Sequence, residues 1–432
     1  MRKALIALVI GASVSTASLA LVNPQAPSAA IQRSKSPQYC LDQLDAVSKT
    51  QDVKTGYACL TELVERWPEQ LPKVDTRMIV WAYSEQAKSV AADQSYASLN
   101  RLFDAYGRTS SPREPESLWM SLAIMAVERG KIDRARSVAD HLKNPHYLVS
   151  MLMDKSFDPI IDGGSDDFDI ERASMRYVHD VLAQVVAQPR RLLLRLQLID
   201  ALISANKFDE ALRMSDSVAS QLRGASTSVA AFDDSEQAFW IADSRARSLR
   251  ALGRHDEAID GLKQASRPPE HGNANANLVL NLASYMCASG RPRETLQVLN
   301  YRMFVSPYGL MNIHVLRHWA ALQMNDAKTA EKELEFMRQH QADNYRAFQS
   351  ALVAAGRFDE ALRLLTVRLS NSVLRTDALM QLQRFNMGPM PLEEQKRELA
   401  WQAFSDRPDV RTAVSAVGRI KQFSIGPTQG WD

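Results

Sequence analysis

The sequence predicts an all-α chain built from antiparallel helical hairpins, and three observations carry that prediction. First, a pattern of turn and helix start recurs: Gly356-Arg357-Phe358-Asp359-Glu360-Ala361-Leu362, Asn206-Lys207-Phe208-Asp209-Glu210-Ala211-Leu212 and Gly253-Arg254-His255-Asp256-Glu257-Ala258-Ile259, with a looser version at Gly130-Lys131-Ile132-Asp133-Arg134-Ala135. Second, an apolar run of helical period precedes each main turn, at 192–205, 239–252, 278–289 and 345–355. Third, β-branched runs are few and the 432 residues include only 17 glycines, which argues against sheets.

Each part of the recurring stretch has a local reason. Glycine or asparagine at the turn takes positive φ and closes the preceding helix. Asp359, Asp256 and Asp209 are expected to cap the following helix, and acidic residues there suit the positive end of its dipole. A small residue at Ala361, Ala258 or Ala211 then lets two helices approach closely. The pattern repeats along the chain, so the array is expected to grow by stacking.

The motif resembles the tetratricopeptide repeat, with Gly356, Phe358, Asp359, Glu360 and Ala361 matching its turn glycine, aromatic, acidic pair and alanine. Gly253, Asp256, Glu257 and Ala258 match nearly as well. A second small position of the family, in the middle of the first helix, is met by Ala246 and Ala283 but not by Ile199, His318 or Gln349. The spacing between turns drifts from 47 residues (206 to 253) through 37 (to 290) and 35 (to 325) to 31 (to 356). Good matches cover two or three units, about a quarter of the chain, and a different helical-hairpin solenoid stays open for the rest. The resemblance implies a right-handed superhelical solenoid, non-enzymatic binding of a protein or peptide, and a concave face lined by first helices. On that face it places Trp240, Asp243, Arg247, Arg250, Asn277 and Arg346. Arginines there would hold carboxylates of an extended partner, and the asparagine its backbone.

Taken in order, the chain opens with Arg2 and Lys3, an apolar run to about 22 diluted by serines, and Ser28-Ala29-Ala30. That is the form of a secretory signal over 1–30, cleaved after Ala30, with a retained anchor as the alternative. The expected location is periplasmic or secreted, and no later segment is apolar and long enough to span a membrane. Removing two basic residues from 52 leaves 50 against 50 acidic, so the mature chain is neutral. No global field draws it to nucleic acid or an anionic surface. Residues 31–155 read as N-terminal hairpins, 156–169 as an acidic solvated loop, 170–370 as the main solenoid, 371–420 as capping helices and 421–432 as a disordered tail.

Three cysteines are present, Cys40, Cys59 and Cys287. Export permits a disulfide, and Cys40 and Cys59 lie on two consecutive helical patterns; their bond would close a loop of about 20 residues and contribute about 3 kcal/mol. The other reading is two buried thiols. Cys287 reads as a core residue.

No catalytic, cofactor or metal site assembles from the sequence. His314 and His318 stand four apart without the glutamate of His-Glu-x-x-His. The loop 156–169 offers five carboxylates but not the spacing of a calcium loop. No nucleophile motif or phosphate-binding glycine loop occurs, and Arg245, Arg247, Arg250 and Arg254 are interleaved with Asp243 and Asp256 as on a solvated face. Helical superhelices of lytic transglycosylases carry a separate catalytic domain, and none follows here. The runner-up functions are an envelope enzyme or enzyme subunit with an unrecognised site, and a structural solenoid that oligomerises.

Overall fold

A computed structural model describes residues 36–50, 52–109, 114–161, 168–224, 231–267 and 274–426. The signal segment 1–30, residues 162–167 of the acidic loop and the last six residues lie outside the described ones. Among the described residues the chain is all-α and has no strand; an isolated parallel bridge joins Arg384 to Gln422. No described helix is long and apolar enough to cross a membrane.

The turn pattern sets a fixed frame. In six hairpins a residue of positive φ ends the first helix: Gly130, Asn206, Gly253, Gly290, Asn325 and Gly356, at φ 65, 58, 76, 70, 57 and 67°. The amide after each of them, on Lys131, Lys207, Arg254, Arg291, Asp326 and Arg357, donates to the carbonyl five residues back at 2.8 to 2.9 Å. The turn residue's own amide donates three back, so each first helix ends in a Schellman motif. Seven residues before the turn and five after it, two side chains then face each other: Ala123 with Ala135, Ile199 with Ala211, Ala246 with Ala258, Ala283 with Thr295, His318 with Ala330, Gln349 with Ala361. All twelve are at most 3% exposed.

In two of the three hairpins where the small first-helix residue is missing, a polar side chain stitches the pair, and in the third Ile199 fills the space. Gln349 Nε2 donates to the Ala361 carbonyl at 2.8 Å, and His318 Nδ1 donates to the Ala330 carbonyl at 2.9 Å. In the Ala283 hairpin the stitch is reversed, Thr295 Oγ1 donating to the Ala283 carbonyl at 3.4 Å. The departures from the tetratricopeptide pattern at 318 and 349 are thus volume filled by an internal hydrogen bond.

The expectation that Asp256 and Asp359 cap the second helices fails. The N-caps are Arg254 and Arg357, without side-chain cap bonds, and the acidic pairs sit in the first turn. There they complement the dipole and form ion pairs, Asp256 with Arg291 and Asp359 with Arg407. Asp326, in the Asn325 hairpin, does cap, accepting from the Thr329 amide at 3.0 Å.

The contacts divide into two units. One comprises the residues up to Phe168 with Ser372–Thr376. Its helices Pro37–Thr50 and Val53–Arg66 pair, followed by Thr76–Ala87, Ala92–Tyr106, the hairpin Glu116–Glu128 with Ile132–Ala139, and Pro145–Met153. Trp119, Phe157, Leu60 and Leu63 form its most buried points. Phe157 and Ile160 are buried, so the first half of the acidic stretch is core and not a solvated linker. Cys40 and Cys59 are both buried and not joined to each other, so the expected disulfide is not formed. The Cys40 thiol donates to Glu62 at 3.8 Å. Burial, the nearby Cys40 and Glu62 push the Cys59 thiol up to about 12. At that value the reactive thiolate is scarce.

The second unit, Asp169–Asn371 with Asp377–Asp432, holds five consecutive hairpins after helix Ile170–Ala187. They pair Leu192–Ser204 with Phe208–Gly224, Phe239–Ala251 with His255–Ala265, Ala276–Ala288 with Pro292–Val298, Pro307–Gln323 with Ala327–Gln339, and Tyr345–Ala354 with Phe358–Ser370. The chain then turns back. The Arg384 amide donates to Lys421 and the Asn386 amide to Ile425, at 3.0 and 3.1 Å, while the Gly426 amide donates to Ser204 at 2.8 Å. Phe423 and Ile425 are 5% and 1% exposed. This corrects the reading of a disordered tail for 421–426; two apolar side chains, stacking of Phe423 on Phe385 and a backbone bridge hold these residues.

Candidate functional site

The first helices carry the expected concave-face residues, and the structure gives each of them internal company. Asp243 is 7% exposed and accepts from Arg247 Nε at 3.1 Å and from Asn281 Nδ2 at 2.5 Å. Arg247 also pairs with Asp200 on the preceding first helix. Burial works against the Arg247 cation, but Asp200 and Asp243 outweigh it and hold the guanidinium firmly protonated. Trp240 is half-buried against the Leu192–Ser204 core and tilted on Phe239 at 4.8 Å. Asn277 is half-buried, its amide donating to Asn275 at 3.0 Å.

Arg346 donates to Asp377 at 3.0 Å, and Arg368, whose side chain is 1% exposed, donates to the other Asp377 oxygen at 2.7 Å. Burial raises the Asp377 carboxyl, yet the two arginines prevail and keep it below the usual carboxylate range. Gln381 completes the network, accepting from Arg368 at 2.8 Å and donating to Ser350 at 2.8 Å.

Arg250 leads to the returning segment. It pairs with Glu394 and lies over the Tyr285 ring, 5.2 Å from its centroid. Glu394 belongs to helix Leu392–Ser405, which packs on the first helices Ala276–Ala288 and Tyr345–Ala354. The segment meets the turns of the array one after another. Asn206 bonds the Ser424 carbonyl; a Cβ on Gly388 would meet the Ala251 carbonyl oxygen at 2.5 Å; Pro389 abuts Gly253 and Glu393 abuts Gly290; Arg407 pairs with Asp359. Gly388 has φ +68°, and the close approach excludes any side chain there.

Between this helix and the array lies a cavity of about 120 Å³ whose lining includes Trp319, Arg346, Ser350, Glu394, Arg397 and Trp401. The Arg397 guanidinium stacks over the Trp319 ring at 4.5 Å. Burial lowers the Arg397 pKa, with Cys287 and Glu393 only partly offsetting it. The helix presents an inverted amphipathic pattern: Glu394 is 7% exposed, whereas Leu392 and Leu399 are 65% and 63% exposed. The sequence analysis did not single out Trp319, Glu394 or Arg397; a helix that buries a glutamate and exposes two leucines runs against the amphipathic pattern that would have marked Glu394 and Arg397.

Other candidates are structural. His314 Nδ1 meets Glu333 at 2.5 Å with its ring on Phe336, and His318 stitches its hairpin, so the two imidazoles do not converge. Among the described residues no group of three His, Cys, Asp or Glu side chains could hold a metal. Arg245 and Arg254 are engaged by Asp216 and Glu257 at 2.6 and 2.7 Å.

The sequence model of the tetratricopeptide repeat matches residues 350–365, which span the end of one first helix, the Gly356 turn and the start of its partner. No curated protein matches the chain. With the hairpin frame, this match makes the chain a divergent tetratricopeptide-like helical-repeat protein.

Proposed function

We propose that the protein is an exported, non-enzymatic scaffold that captures a protein or peptide partner through its first-helix face. The observation that carries this reading is the repeated hairpin frame, which presents five first helices of the second unit side by side, as repeat arrays do when they bind extended chains. The surface offered is Trp240, Asp243, Arg247, Arg250, Asn277 and Arg346. Since Arg250 and Arg346 already hold Glu394 and Asp377, a partner's carboxylates would exchange with these internal ones. Such an exchange suits moderate, salt-sensitive affinity.

The test places a photo-crosslinking side chain at 277 and, as a control, at 263 on a second helix, in the full chain expressed with its first thirty residues. Capture of one protein at 277 and not at 263 supports the reading. Equal capture at both, or at 263 alone, overturns the first-helix face. Mass spectrometry of the same preparation addresses export, with a chain starting near Ile31 expected and an intact Met1 in the cytoplasm against it. Peptide mapping without reductant follows Cys40 and Cys59. With both thiols buried and unbonded, both are expected as alkylated thiols, and recovery of a linked Cys40–Cys59 peptide would overturn that.

A further inference from the structure

We propose that the cavity formed where the chain returns after helix Pro408–Ser415 is a binding site for a small phosphate monoester that carries hydroxyl groups. The site is independent of the first-helix face and of the scaffold reading. It lies wholly within the second unit and has a volume of about 300 Å³. Four cationic residues line it, Arg384, Arg411, Arg419 and Lys421, and Asp406 is the only acid among its described lining residues. The chain as a whole carries 52 basic and 50 acidic residues, so three surplus positive charges around one cavity are a local feature of this corner.

The cations are held in place by structure that is itself fixed. Arg384 and Arg411 donate to one and the same oxygen of Asp406, at 2.9 and 2.8 Å, so their guanidinium groups are neighbours. Each uses one N–H of its fork in that bond, and the others remain for a ligand. The buried Gln383 grips the backbone of the other two residues: its Nε2 donates to the Arg419 carbonyl at 3.0 Å, and its Oε1 accepts from the Lys421 amide at 2.9 Å. The Arg384 amide donates to the Lys421 carbonyl at 3.0 Å, which ties the two sides of the cavity together.

The ligand class follows from charge, size and the polar groups that remain. A carboxylate would offset one of the three surplus charges. A phosphate monoester offsets two and gives its oxygens to several N–H donors, the recognition that arginine suits best. Hydroxyl groups on its body would donate to Asp406, which the hydrogen bond from Arg411 keeps below the usual carboxylate range and so ionised. Ser415 and Gln422 also line the cavity and add polar groups for such a body. At about 30 Å³ for each water-sized group, 300 Å³ holds about ten non-hydrogen atoms, the size of glycerol phosphate.

The experiment titrates the full chain with glycerol 1-phosphate, inorganic phosphate, glycerol and acetate by calorimetry at constant ionic strength. A second arm sediments it with phosphatidylcholine vesicles made with and without phosphatidylinositol 4-phosphate. Saturable binding of glycerol 1-phosphate is expected, weaker for inorganic phosphate and absent for glycerol and acetate. R411Q and K421Q should each weaken it about tenfold, the loss of one charged hydrogen bond, whereas K396Q, which changes a cation outside the cavity, should not. The Arg411 side chain is 64% exposed, so R411Q is expected to melt as the native chain does, and K421Q repeats the test on a second exposed residue. Binding of the free ester alone assigns a soluble ligand to the site; sedimentation that needs both the phosphorylated lipid and Lys421 assigns a lipid headgroup. No saturable response in either arm, acetate or inorganic phosphate binding as tightly as the ester, or equal losses in K396Q and K421Q would each overturn the proposal.

Discussion

The hairpins and the returning segment are held in opposite ways. Each hairpin closes on neighbours twelve residues apart, through backbone bonds repeated six times and alanines at most 3% exposed. The segment from 384 to 426 is held by single contacts with partners far along the chain: Glu394 with Arg250, 144 residues away, and Asn206 with Ser424, 218 away. Helix Leu392–Ser405 buries only Glu394, Phe404 and Ser405. The array is therefore redundant, and its covering helix depends on a few side chains. The lesson is that local repetition gives rigidity that no single residue controls, whereas a long-range strap can be undone at one point.

The strongest way to break this contrast is at Phe404, fully buried at the end of the covering helix and edge-on to Trp401 at 5.9 Å. Phe404→Ala should cost about 3 to 5 kcal/mol. Hydrogen exchange should show protection lost over 392–405 and kept over 345–370. Equal loss in both would mean that strap and array are one cooperative unit.

Next in size is Ala361→Leu, which forces extra methylenes into a contact with no exposed surface, beside the Gln349 bond to the Ala361 carbonyl. The expected cost is about 1 to 3 kcal/mol in chemical denaturation. An unchanged midpoint would contradict the packed twelve-residue frame.

A pH series extends the comparison to the first unit. Burial pushes the Glu116 carboxyl up to about 7, although two backbone amides, of Asn144 and Lys143, bond it at 2.9 and 3.0 Å. Its folded pKa lies above the unfolded value, so its contribution is present below about 4.5 and is lost as pH rises through 7. Burial also depresses His146 to about 3, and this group loses stability as pH falls below 6.5. Melting of the first unit should decline on both sides of a mildly acidic optimum. Glu116→Gln should flatten the upper limb, and an unaltered upper limb would remove Glu116 as its cause.

The smallest expected effect is that of Glu394→Gln, about 1 kcal/mol, because the isosteric amide keeps the packing of the buried Glu394 and Arg250 stays partly exposed to water. Its value lies in function: freeing Arg250 should increase crosslinking at 277. Decreased crosslinking would show that the covering helix helps to form the binding face.

What the sequence revealed tracks how local each feature is. Gly356, Gly253 and Asn206 announced their turns because positive φ is a property of one residue, and Ala361 and Ala258 announced close packing because their size does. The Gln349 and His318 stitches were invisible, since a polar residue in an apolar helix does not say which carbonyl twelve residues on it will meet. The concave-face arginines were readable as surface charge, but their companions Glu394 and Asp377 lie in a segment read only as capping helices. The exposed Leu392 and Leu399 run against amphipathic periodicity, which places leucine inward, so periodicity alone does not show which face of that helix meets the array.

The constant frame of the hairpins also bears on how such a chain tolerates change in length. The interval from first-helix contact through turn to second-helix contact is twelve residues in all six hairpins, while the distance from one turn to the next shrinks from 47 to 31 over the last five. Insertion or deletion is thus confined to the connections between hairpins. A single residue added between 349 and 361 would rotate Ala361 by about 100° away from Gln349. Loops of quite different length would leave the stitches untouched, so new segments can be accepted by such an array without any hairpin having to be rebuilt.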